Sequence, residues 1–186
     1  MKKTTIFLAG AMSLSLSALS LMASANTIDA DDFVEDASAQ GIAEIEAGKM
    51  ALQKSSSSAV KVFAQHIIDD HTAANKELAA LAKSKNLEVD DEAALMSKAK
   101  GYMLKQKEGQ SFDAAFASNQ VTAHEKTIEL FQKAAKSDDA EVRAFAEAKI
   151  PTLEKHLHAA HELAATTMAT KIETKVEKNV ENKAKH

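Results

Sequence analysis

Glu44, His71, His124 and His156 each stand among apolar residues at helical spacing. Read at about 100° per residue, Val60, Ala64, Ile67, Ala74, Leu78 and Leu81 share one face, with His71 in its middle. His124 shares its face with Ala117, Val121, Ile128 and Phe131. His156 lies with Phe145, Leu153, Ala160 and Leu163, and Glu44 with Phe33, Ala37, Gly48 and Ala51. One carboxylate and three imidazoles make a donor set for a divalent transition ion: Zn, Fe, Mn or Cu. Burying such groups without partners is expensive, and a single cation satisfies all four. A second reading stays open, a hydrogen-bonded core network. In it Glu44 pairs with an imidazolium while Gln120 or Asn75 caps the rest. Gln40, Asn75, Gln120 and Thr152 lie a turn away on the same faces and are candidates to orient the ligands.

Other chemistry is thinly represented. His66, His158 and His161 fall on outward faces and read as surface residues. The seven Met residues are explained by the N-terminal segment and by helix faces. No Ser nucleophile motif, phosphate-binding Gly-rich loop or Walker pattern is present. A non-catalytic role is therefore expected ahead of a metalloenzyme with an open coordination position. The chain has no Cys. That excludes disulfides, thiolate metal sites, Cys nucleophiles, c-type haem attachment and a lipid anchor.

The elements that must position the four groups are helices. Abundant Ala, Lys and Glu, one Pro, five Gly and no Trp describe an all-α chain. The spacing predicts helices over 30–54, 57–85, 111–136 and 140–168. Short polar links, residues 55–58 and 137–139, join them into two antiparallel hairpins. A shorter helix over 91–107 is expected to cross between the hairpins, which would make the second and third long helices parallel. Pro151 falls inside the last helix and removes the bond to the Glu147 carbonyl. Each of the four candidate ligands lies near the midpoint of its helix. Midpoints of helices of similar length meet at one level, whatever their direction. The four side chains are thus expected to converge halfway down the core.

The ends of the chain carry a different signal. Lys2 and Lys3, an apolar run and Ala23-Ser24-Ala25 have the form of a secretory signal peptide over 1–25. The bundle is expected over 26–170, and 171–186 as a charged C-terminal tail, solvated and frayed in preference to an extension of the last helix. Without residues 1–25, 21 basic residues (23 less two) face 27 acidic ones, a net −6 against −4 for the whole chain. An acidic surface argues against nucleic acid as a partner. No transmembrane segment is expected in the mature chain, and the periplasm is the expected address if the cell is Gram-negative.

Several landmarks resemble a known family: Val60-x-x-Phe63-Ala64-Gln65, Asp70-His71-x-x-Ala74-Asn75, His124, and Pro151-Thr152-Leu153-x-x-His156. The chain is similar to an exported bacterial domain-of-unknown-function family, often labelled as outer membrane proteins. That resemblance implies a ferritin-like four-helix bundle and no settled activity. The outer-membrane label draws no support from the sequence, which has no barrel strands. Ferritin-like proteins hold two metals through Glu-x-x-His on two helices and a Glu on each of the others. Here Ile68, Val121 and Leu153 stand three residues before the histidines. The bridging carboxylates are missing, so at most one metal is expected.

Overall fold

The computed structural model describes residues 27–87 and 108–184. Its helices are α1 (Ala30–Lys54), α2 (Ser58–Ser84), α3 (Gly109–Ala134) and α4 (Ala140–Ala184). The links are set by local chemistry. The Ser57 hydroxyl accepts from the Val60 amide at 3.4 Å and caps α2. The Asp139 carboxylate accepts from the Glu141 and Val142 amides at 3.0 and 3.1 Å and caps α4. Asn86 takes a left-handed φ of 55° and stops α2.

Pairwise contacts fix the directions. Gly41 faces Asn75 and Gly48 faces Ile68, so α1 and α2 are antiparallel. Phe33 meets Phe131, Gln40 meets Thr127 and Lys54 meets Glu108, so α1 and α3 are antiparallel. Phe131 meets Phe145 and Gln110 meets Thr174, which makes α3 and α4 antiparallel. Asp70 meets His156 and Lys85 meets Asp139, which does the same for α2 and α4. Every neighbour is antiparallel, and the diagonal helices α2 and α3 run parallel, as expected for a ferritin-like bundle. The helix expected over 91–107 and the signal peptide expected over 1–25 lie outside the described residues.

The core splits in two. Phe33, Val34, Leu78, Phe131, Val142 and Leu153 belong to one apolar cluster. Ala51, Val60, Ile67, Phe112, Phe116 and Leu163 belong to the other. Along every helix a polar position separates the two: Glu44 on α1, His71 on α2, Gln120 and His124 on α3, His156 on α4. The described residues contain no strand, and no helix among them is long and apolar enough to cross a membrane.

One expectation is corrected. Residues 171–184 do not fray from the bundle; α4 continues through them to Ala184. No Gly or Pro follows Pro151, and Ala, Lys and Glu sustain a helix without burial. Ile172, Val176 and Val180 are more than half exposed along it, and Met168 is exposed just before them.

Close approach of α1 and α2 depends on Gly48. A Cβ there would stand 2.8 Å from Ile68 Cγ1 and 3.0 Å from the Ala64 carbonyl oxygen. Overpacking of this kind costs about 1–3 kcal/mol, whereas Ala gains about 1 kcal/mol over Gly in helix propensity. Gly48→Ala is expected to lower the denaturation midpoint despite the better helix former. Equilibrium unfolding in urea measures it.

Candidate metal centre

All four sequence-predicted ligands are buried: Glu44 is 5% exposed, His71 6%, His124 1% and His156 8%. The bundle brings the three imidazoles together. Their ring centroids form a near-equilateral triangle with sides of 5.5, 5.8 and 5.4 Å. One ligand nitrogen from each lies within 4.8 Å of the other two. Among the described residues this is the group of His, Asp and Glu side chains with metal-binding spacing.

The hydrogen bonds around the rings leave one nitrogen of each without a partner. His124 Nδ1–H donates to the Gln120 carbonyl oxygen one turn back, at 2.9 Å. That fixes the tautomer and leaves Nε2 as a buried lone pair with no protein partner. His156 Nε2–H donates to Asp70 Oδ2 at 2.9 Å, leaving Nδ1 buried and unpartnered. His71 Nε2 is also buried and unpartnered. Metal-bound imidazoles are held in this way, with the second nitrogen tied to a carbonyl or carboxylate.

Burial keeps the rings neutral. It pushes the pKa of His71 down to about 3, with His124 and His156 adding to the effect. Burial takes His124 down to about 4 against the opposing pull of the Gln120 carbonyl. His156 is lowered for the same reason, with Asp70 opposing. A neutral imidazole is the form that binds metal.

Glu44 is placed differently. It is level with His71, because the glycines on either side of it face Asn75 and Ile68. It is not a member of the close imidazole group. Burial raises its pKa to about 7, and the Gln120 side-chain amide beside it pulls the other way. That amide favours the carboxylate by proximity, yet neither amide atom nor Glu44 Oε2 reaches hydrogen-bonding geometry. Glu44 is thus an acid of the same layer, one position removed from the triangle.

Of the residues expected to orient the ligands, Gln120 does so through its backbone carbonyl. Gln40 accepts from the Thr127 hydroxyl at 2.7 Å. Asn75 covers Gly41, and Asn75 and Thr152 both line a cavity beside His71 and His156. Sequence reasoning missed Asp70. It precedes His71 and points about 100° away from it, toward α4, where no local pattern announces its partner. His66, His158 and His161 are exposed, as expected.

Fold and centre together define an all-α four-helix bundle with a buried triad of neutral imidazoles at mid-height. The profile of a family described as a domain of unknown function (DUF4142) matches residues 17–163, and the chain belongs to that family. No curated protein and no solved structure matches it.

The pKa shifts carry a sign. An imidazole held neutral in the fold gains nothing above its ordinary 6.5 and loses stability as pH falls from there toward about 4. Glu44 acts oppositely, losing stability as pH rises from its ordinary 4.5 to about 7. Two strongly lowered imidazoles outweigh one raised carboxylate. The metal-free protein is expected to have a lower urea midpoint at about pH 5 than at about pH 7. His71→Leu should flatten that slope.

Proposed function

We propose that the protein is an exported bundle that binds one divalent transition ion through His71, His124 and His156 and serves metal handling in the cell envelope. The observation that carries this reading is the set of three unpartnered nitrogens. His71 Nε2, His124 Nε2 and His156 Nδ1 are buried without a protein partner, within 4.8 Å of one another. A hydrogen-bonded network would pair these atoms with donors, and none of the described residues places a donor on them. The donor set fits the ion. Imidazole suits Zn, Cu and Fe, and three neutral ligands leave its charge to be offset by Glu44. Export is supported by the basic, apolar and small-residue pattern of residues 1–25.

Elemental analysis of protein purified without an affinity tag from its native compartment tests the proposal. One equivalent of Zn, Cu, Fe or Mn is expected. Protein that is metal-free there, and that takes up no ion on addition of each, returns the layer to a structural role. Two variants sharpen the test. His71→Leu removes a ligand and should abolish both metal binding and the metal-dependent rise in Tm. Its metal-free stability should be unchanged or raised, since an unpartnered imidazole becomes an apolar side chain. Asp70→Asn leaves all three ligands in place but weakens the hold on the His156 ring. It is expected to reduce metal affinity about 10–100-fold, measured by competition with a chromogenic chelator.

A further inference from the structure

The outer face of α4 carries an apolar stripe. Met168, Ile172, Val176 and Val180 stand four apart, the last three more than half exposed and Met168 exposed beside them. The bundle holds the other side of this helix. Thr167 is buried, and the Gln110 side-chain amide donates to the Thr174 hydroxyl at 2.8 Å. Thr174 lies about 200° round the helix from both Ile172 and Val176, so the stripe points away from α3. α3 begins at Gly109, and the residues after Thr174 run past that start for about 15 Å.

The charges beside the stripe are sorted by sign. Lys171 and Lys175 each precede a stripe residue and lie along one edge. Glu173 and Glu177 each follow one and lie along the other. This arrangement does not suit a lone helix. Opposite charges four apart support an isolated helix and like charges weaken it. Here the pairs four apart are Lys171 with Lys175 and Glu173 with Glu177. The arrangement does suit a parallel pair of identical helices. A two-fold axis along the pair lays the Lys edge of each copy against the Glu edge of the other. An antiparallel pair would set Lys against Lys and Glu against Glu. Edge charges of this kind choose partner and orientation, while burial of the stripe supplies the attraction. Residues four apart also form a ridge, and the commonest helix pairs interlock two such ridges. An anionic lipid surface would attract one edge of the stripe and repel the other.

We infer that this stripe is the docking surface for a second copy of the chain, which lays its own α4 stripe on it in parallel. The test is sedimentation equilibrium of the protein purified from its native compartment, from micromolar to millimolar concentration. A reversible monomer–dimer equilibrium is expected. Ile172→Ser removes exposed apolar surface without touching the bundle and should weaken the dimer about tenfold. Lys171→Glu with Lys175→Glu makes both edges acidic, and Glu173→Lys with Glu177→Lys makes both basic. Each double variant is expected to weaken self-association about tenfold or more. An equimolar mixture of the two should restore a dimer containing one copy of each. A protein that stays monomeric overturns the inference, and binding of that monomer to vesicles of anionic lipid would assign the stripe to a membrane instead. A dimer that Ile172→Ser leaves intact forms elsewhere on the molecule and overturns it too. So does a dimer that ignores the reversal of Lys171 and Lys175, because an antiparallel pair only exchanges one like-charged edge for another. A mixture of the double variants that fails to associate overturns it as well.

Discussion

Placing polar groups at mid-height between two apolar clusters is the constraint on which the rest of this bundle depends. The Phe33–Phe131–Leu153 cluster lies on one side and the Phe63–Phe116–Leu163 cluster on the other. Between them, Glu44 Oε2, His71 Nε2, His124 Nε2, His156 Nδ1 and both amide atoms of Gln120 lack protein partners. Each such atom costs about 1–3 kcal/mol. Together they rival the whole net stability of an ordinary domain, about 5–15 kcal/mol. The aromatic contacts on either side, such as Phe33 with Phe131 at 5.1 Å and Phe63 with Phe116 at 6.1 Å, hold the helices in register against that cost. Three of these atoms are imidazole nitrogens spaced so that one metal ion could satisfy them together.

Much of this was legible before any coordinates, for a geometric reason. A helix fixes the phase of a side chain at about 100° per residue and its depth at about 1.5 Å per residue. In a bundle of long helices joined by short links, those two quantities nearly determine a side chain's place. Phase and depth were enough to bring His71, His124 and His156 to one level. They were not enough for Glu44, whose reach depends on side-chain direction and on how closely α1 approaches. Asp70 was hidden because its role depends on the rotation of α2 relative to α4. The helical run through 171–184 was hidden because an exposed helix carries no burial pattern. There, propensity decides, and the spacing of Ile172, Val176 and Val180 reads equally as a thin stripe or a tail.

The four interfaces are not equivalent, and the difference follows from composition. Small residues line α1 where it meets α2: Gly41 lies under Asn75 and Gly48 under Ile68, too close for a Cβ at either. α2 and α4 contain no glycine, and their seam is bridged by polar pairs such as Glu77 with Lys149. Long side chains span a gap and leave space behind them, which is where the cavity lies. Pro151 acts on the same turn. It leaves the Glu147 carbonyl without its helical donor, and its neighbours Lys149 and Thr152 line the cavity.

The same packing argues against a second metal. A two-metal centre in this kind of bundle needs a carboxylate three residues before a histidine, projecting inward. The corresponding residues are apolar. Leu153 is buried in one core cluster, and Val121 packs against the other. Ile68 presses on the position where a Gly48 Cβ would stand, 2.8 Å from its Cγ1. Exchange of Ile68 for Glu would set a carboxylate against the α1 backbone with no room to turn toward the imidazoles. Gly48 and Ile68 are therefore a matched pair. Close packing of the hairpin occupies the space that a bridging carboxylate would need, and leaves the three imidazoles as the group that could hold an ion.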